Sequence, residues 1–107
     1  MIIVDGFNVY PSDVEGVIYT HPAVSLVAVI GMTDAYHGEV VKAFVVMKPG
    51  ASATVEELTA HCAVSLAEFK MPREIEIRDS LPMSAVGKIL YRILREEQRV
   101  KSGVVNG

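Results

Sequence analysis

Val24-Ser25-Leu26-Val27-Ala28-Val29-Ile30 and Val40-Val41-Lys42-Ala43-Phe44-Val45-Val46-Met47 decide how this chain folds. The first run is β-prone and apolar on both faces, which marks a central strand. The second is equally apolar, and Lys42 is its one charge. Between them, Gly31 to Gly38 reads as a loop carrying Thr33, Asp34, Tyr36 and His37. Two strands joined by so short a loop suit an antiparallel pair, because a parallel crossover needs roughly a dozen residues or more.

On the N-terminal side, Met1 to Val4 is β-prone, Asp5-Gly6 is a turn dipeptide, and Phe7-Asn8-Val9 returns as the second arm of a small hairpin. Pro11 suits the first turn of a helix, while Ser12 with Glu15 forms a competing capping-box pattern. Val14, Val17 and Ile18 give that helix its apolar face, Gly16 weakens it, and His21-Pro22 ends it. On the C-terminal side, Lys48-Pro49-Gly50 is a turn. Thr54 and Glu57 then make a capping box, and Val55, Leu58, Cys62 and Leu66 predict a buried helical stripe. Phe69-Lys70-Met71-Pro72 breaks the helix.

Arg73 to Arg78 alternates, with Ile75 and Ile77 inward and Glu74, Glu76 and Arg78 outward, which predicts a half-exposed strand near an edge. From Ile89, a last helix turns Leu90, Ile93 and Leu94 inward and Arg92, Arg95, Glu96, Glu97 and Arg99 outward; 101–107 is expected to fray. The pattern predicts an α+β domain: a small antiparallel sheet with about three helices packed on it, plus an N-terminal β-hairpin.

The 107 residues suffice for one domain with one core, and half of them are hydrophobic with no tryptophan. A net charge of −3 argues against a nucleic-acid partner. The single cysteine, Cys62, excludes an internal disulfide and makes a reducing cytosol the natural compartment. No apolar run reaches the roughly 20 residues of a transmembrane span, and no signal peptide is visible. A chain that opens inside an apolar strand is expected to be cut from something longer.

Pro82-Met83-Ser84-Ala85-Val86-Gly87-Lys88-Ile89 is the most informative polar stretch. It is not a nucleotide P-loop: that motif needs a glycine where Pro82 stands and a hydroxyl where Ile89 stands. A lysine on a tight turn is most often a solvated surface residue, yet it can also clamp a phosphate or carboxylate as a point charge. Asp5-Gly6 reads either as an ordinary hairpin turn or as backbone passing close to a ligand. Phe69, Lys70 and Arg73 read either as a helix C-terminus with favourable charge or as an adenine platform with phosphate contacts. Taken singly, each of these pairs of readings stays open. His21, His37 and His61 lack zinc-site spacing, so no metal site is expected, and Cys62 falls on a buried stripe. No nucleophile–base pair is legible around Ser84.

Taken together, the segments resemble the C-terminal domain of acyl-CoA synthetases, of the fatty-acid CoA ligase type, in the adenylate-forming superfamily. The resemblance runs from Met1 to about Arg95. It is carried by Val4-Asp5-Gly6-Phe7-Asn8-Val9-Tyr10-Pro11 with Asp13-Val14-Glu15, and by His21-Pro22-Ala23-Val24. Asp34, Gly38-Glu39 and Val41-Lys42-Ala43-Phe44-Val45 add to it, as does Pro82 to Ile89 with Arg92. The sequence departs from the family at Met83, where a basic residue is frequent, and at Tyr91-Arg92, where two basic residues are frequent. Asp5 replaces a common glycine.

The resemblance implies that 1–107 is a mobile lid domain whose large N-terminal adenylation domain is absent. It implies a ligase that uses ATP to form an acyl-adenylate and then an acyl-CoA thioester, with fatty acids the expected carboxylic-acid substrates. Lys88 would be the adenylation lysine, with Gly87 beside it. Asp5 and Gly6 would lie by the coenzyme A channel, and Phe69, Lys70 and Arg73 near the coenzyme A nucleotide. Mg2+ is expected in the absent domain. A lysine acetyltransferase and deacetylase acting at Lys88 are further expected partners. The fragment alone is expected to be inactive. The full enzyme is expected in the cytoplasm, with peripheral membrane attachment. The alternatives are an adenylating domain that loads a carrier protein and a non-catalytic binding or dimerisation module.

Overall fold

The two apolar runs pair antiparallel, as their shared character requires, but they are longer than their apolar cores. The structure, a computed structural model, describes residues 1–101. Its elements are β1 (Ile2–Val4), β2 (Phe7–Val9), α1 (Pro11–Tyr19), β3 (Val24–Asp34), β4 (Gly38–Met47), α2 (Val55–Ser65), a 3-10 turn (Glu68–Lys70), β5 (Glu74–Arg78) and α3 (Tyr91–Lys101). Most of the loop expected between Gly31 and Gly38 is therefore strand. Gly31 pairs with Val41 and Asp34 with Gly38. The remaining turn is closed by Asp34 Oδ2, which accepts the N–H groups of Tyr36 and His37 at 3.1 and 3.0 Å. Lys101 closes α3, and the rest of the tail expected to fray, 102–107, lies outside the described residues.

The sheet runs β2-β1-β4-β3, with β5 also on β4. The β1–β2, β1–β4 and β3–β4 pairs are antiparallel, and β5 joins β4 in parallel. Strand alternation sends β4 side chains to two cores. Val41, Ala43 and Val45 meet Val14 and Ile18 of α1 and Leu58 and Cys62 of α2. Phe44 and Val46 meet Ala28, Ile30, Leu81 and Leu94 under α3. Each fully buried Val, Leu, Ile or Phe among them contributes about 1.5–3 kcal/mol.

The helix ends follow local chemistry. In α1, Pro11 takes the first helical position and Tyr10 offers no side-chain cap, so the Ser12–Glu15 box does not form. Glu15 Oε2 instead accepts the Val29 N–H at 2.9 Å and the Tyr91 hydroxyl at 2.6 Å. Burial and this carboxylate push the Tyr91 phenol far above its ordinary range. In α2 the Thr54–Glu57 capping box is complete, with bonds of 2.9 and 3.0 Å. Leu58 and Cys62 are buried as the stripe predicts, but Val55 in the first turn is 36% exposed. The helix ends at Ser65, with Leu66 as C-cap, ahead of the expected break. α3 begins at Tyr91, not Ile89, because Ile89 is held in a β-bridge with Met83. Leu94 is the fully buried residue of α3, and Leu90 precedes the helix half-buried.

Alternation also places Lys42 on the face of Phe44, where it is 0% exposed. Its Nζ lies 2.7 Å from Glu74 Oε2 and 2.9 Å from Glu76 Oε1, and donates to Gln98 Oε1 at 2.7 Å. It also stands 4.9 Å from the Phe44 ring centroid. Parallel pairing makes this cluster, since Glu74 is the β5 partner of Lys42. The expected orientation of β5 is thereby corrected. Glu76 and Arg78 lie half-buried toward α3, where Arg78 Nη1 meets Glu97 Oε1 at 2.8 Å. Ile75 is 7% exposed, whereas Ile77, on the same side as Ile75, is 41% exposed and belongs to neither buried cluster. Burial works to raise the Glu76 carboxyl, but the hydrogen bond and charge of Lys42, with Lys101, hold it below its ordinary value.

Two outcomes follow for urea unfolding. Lys42→Met leaves carboxylates that reach water, so it is expected to cost no more than about 1 kcal/mol; Glu74→Ala with Glu76→Ala strands a buried ammonium and is expected to cost about 3 kcal/mol or more. The reverse ranking would contradict the burial of that charge. Because Glu76 is depressed in the folded state, its contribution is present above the ordinary carboxylate pKa of about 4.3 and is lost as pH falls through the folded value. An acid titration of stability is expected to flatten in Glu76→Gln over that window.

Candidate functional site

Proline and glycine fix the ends of the turn that carries Lys88. Met83 and Ile89 form an antiparallel bridge. Ser84 N–H donates to Lys88 O at 2.8 Å, Gly87 N–H to Ser84 O at 3.0 Å, and Leu90 N–H to Pro82 O at 2.9 Å. Ser84 is thus a turn residue rather than a nucleophile: its Oγ accepts the Lys88 N–H at 3.1 Å. Gly87 has φ +82°, which L side chains rarely adopt. Leu81 and Ile89 anchor the turn in the core under α3. The Lys88 side chain is exposed and takes no hydrogen bond or ion pair among the described residues. A rigid backbone therefore projects an uncommitted cation.

A second cluster forms on the α1–α2 side of the sheet. Asp5 and Gly6 have φ of 51° and 82°, a turn whose twist suits the tight β1–β2 hairpin. Val4 pairs with Gly38, so this turn lies against the β3–β4 turn. Asp5 N–H donates to His37 O at 2.9 Å, and His37 Nδ1 lies 2.7 Å from Asp5 Oδ1. Desolvation works to raise the Asp34 carboxyl, but the N–H groups of Tyr36 and His37, and the charges of His37 and Arg73, hold it lower. Phe69 stacks on Phe7, with centroids 4.5 Å apart and planes at 23°. Val4, Asp5, Phe7, His37, Phe69 and Arg73 are among the residues lining a groove of about 520 Å³ here.

Of the residues singled out by sequence, Asp5, Phe69 and Arg73 line one groove, and Gly6 forms the apex of the turn beside it. Lys70 turns away toward α1: its Nζ is 4.0 Å from Asp13 Oδ2 and 5.9 Å from the Phe69 centroid. Lys88 and Gly87 belong to the α3 side instead. Sequence reasoning passed over Phe7 and His37 as site residues. His37 is 32 positions from Asp5, so only strand pairing brings them together. His61 ties α2 to α1, with Nε2 2.7 Å from Thr20 Oγ1 and 3.1 Å from Val17 O. Among the described residues no group of three His, Cys, Asp or Glu side chains is placed to hold a metal, and no helix is long and apolar enough to cross a membrane. Cys62 is buried, and desolvation pushes its thiol up.

The family model for the AMP-binding enzyme C-terminal domain matches residues 13–88, ending at Lys88. The chain belongs to that family. The long-chain-fatty-acid–CoA ligase of Bacillus subtilis (strain 168) is 50% identical over 98 residues, covering 92% of this chain and 18% of that protein. The long-chain-fatty-acid–CoA ligase of Yersinia pestis is 51% identical over 106 residues, covering 99% and 18%. The solved structure of a Mycobacterium tuberculosis fatty acyl CoA synthetase superposes with a TM-score of 0.87 at 38% identity, over 94% of this chain and 20% of that one. The chain thus spans about a fifth of the length of the curated relatives it matches, which are acyl-CoA synthetases of the adenylate-forming superfamily.

The open space around the Gly87 Cβ position isolates backbone strain from steric clash. Gly87→Ala is expected to cost about 1–2 kcal/mol, lowering the melting temperature by several degrees. Gly16→Ala, equally open but inside α1, is expected to stabilise by up to about 1 kcal/mol. Equal effects in thermal unfolding would contradict the left-handed turn.

Proposed function

We propose that this chain is the mobile C-terminal domain of an ATP-dependent acyl-CoA ligase, and that Lys88 is its adenylation lysine. The observation that carries the reading is an exposed ammonium, without a partner among the described residues, on a rigid turn in a chain that matches the family through that residue. The substrate class is a fatty acid, which the names of its relatives support.

In the first step a carboxylate oxygen of the substrate attacks the α-phosphorus of ATP, and the bond to pyrophosphate breaks. Two anions must approach each other while charge builds on the phosphoryl oxygens. A cation held in place before the reaction lowers that barrier without reorganising. Lys88 bridges the carboxylate and the phosphate, while the large N-terminal domain binds both substrates and Mg2+. The small domain then rotates, and the side carrying the Asp5–Gly6 turn meets the reaction centre. The thiol of coenzyme A attacks the acyl carbon, and AMP leaves. Gly6 lets the backbone approach the pantetheine chain closely. Phe69 and Arg73 contact the coenzyme A nucleotide by stacking and charge, and Lys70, engaged toward Asp13, contributes less. The two functional segments lie on opposite sides of one sheet, which suits alternate presentation.

Exposure also leaves Lys88 open to acetylation, which would remove its charge and halt the first step. The full enzyme works in the cytoplasm, at a membrane surface when its substrate is there.

The chain alone is expected to give no ATP–pyrophosphate exchange with any fatty acid; clear exchange would refute the reading as a lid. In the parent ligase, Lys88→Ala is expected to lower adenylate formation by about 10²-fold or more while thioester formation from supplied acyl-adenylate and coenzyme A survives. Survival of both half-reactions would return Lys88 to the solvated surface.

A further inference from the structure

The pairing of Val4 with Gly38 brings Asp5 and His37 together at the mouth of the groove. Their side chains are half-exposed, and Asp5 Oδ1 lies 2.7 Å from His37 Nδ1. A carboxylate only accepts hydrogen bonds, so Nδ1 carries the hydrogen of the neutral ring and Nε2 keeps its lone pair. Among the described residues Nε2 has no partner. The result is an oriented base in a groove with two stacked phenylalanines and Arg73. A thiol of pKa about 8.5 is only a few per cent thiolate at neutral pH, so its attack on an acyl group benefits from a base.

We propose that His37, oriented by Asp5, is the general base of the thioester-forming step. This rests on the reading of the chain as the rotating domain of an acyl-CoA ligase. The thiol sulfur forms a bond to the acyl carbon, and its proton passes to His37 Nε2. The acyl carbon–oxygen bond to the phosphate breaks, and its electron pair leaves with AMP. His37 then releases the proton to water. His37 is the catalytic residue, and Asp5 is a positioning residue. Asp34, Arg73 and Glu68 also stand around the ring or groove, and their charges are unchanged in the variants below.

The test uses the parent ligase with supplied acyl-adenylate and saturating coenzyme A, in single turnovers from pH 6 to 9. His37→Gln is expected to slow thioester formation about 10²-fold at pH 7, with the deficit shrinking toward pH 9 as the thiol ionises unaided. Asp5→Asn is expected to slow it about tenfold at saturating coenzyme A, because an amide no longer fixes which ring nitrogen carries the hydrogen. Adenylate formation is expected to stay at the wild-type rate in both. A wild-type thioester rate and pH profile in His37→Gln would overturn the proposal. So would a deficit confined to companion turnovers at low coenzyme A, with the saturated rate and pH profile unchanged. Failure of the underlying reading has a different signature: the unaltered parent forms no thioester.

Discussion

One buried ammonium sets the arrangement of the C-terminal half of this domain. Lys42 lies in the middle of the central strand, on the side where its neighbours are Phe44 and Val46. A charge at 0% exposure must be paired or it destabilises the fold by several kcal/mol. Its partners come from two separate elements, Glu74 and Glu76 of β5 and Gln98 of α3. Carboxylates two residues apart in a strand lie on one side, so β5, with Glu74 opposite Lys42, presents both to it. The segment between β5 and α3 contains the turn of Lys88. Its placement is therefore fixed by a cation more than forty positions earlier in the chain.

Elements with local signals were legible in the sequence. Asp5-Gly6 between two β-prone triplets, Pro11 at a helix start and Thr54 with Glu57 each name their own partners within a few residues. All three stand in the structure. The direction of β5 was not legible, because parallel pairing is a choice made between distant strands. Glu74 and Glu76 looked solvated for a related reason: alternation marks them polar, and polar residues stay out of a core unless a buried partner draws them in. The loop expected after Ile30 is too long because Gly31 and Asp34 are poor strand formers. Cross-strand bonds to β4 outweigh that weakness. In the candidate site, Lys88 and the Asp5–Gly6 turn could be read from short motifs. The contact of Asp5 with His37 could not, since it exists only once β1 lies beside β4.

The sheet separates two kinds of surface. On the α3 side, a bridge, a glycine in left-handed conformation and an anchored isoleucine hold one cation outward. On the other side, two hairpin turns and a pair of stacked rings make a groove. Both sets of groups are carried on turns, while the strands and helices beneath them are closely packed. Such a body can be turned as a unit, because neither surface need deform for the other to be presented.

β3 forms one border of the sheet, and two of its outward amides are already engaged. The Val27 N–H donates to Tyr19 Oη at 3.1 Å and the Val29 N–H to Glu15 Oε2 at 2.9 Å. The first helix thus acts as a hem along the fabric's open margin. A foreign strand seeking to extend the sheet would have to displace both side chains before forming its first ladder bonds. Open strand margins are the usual template for amyloid-like growth, and apolar ones are the worst. A margin as rich in valine as Val24–Ile30 is kept from that fate by one tyrosine and one glutamate.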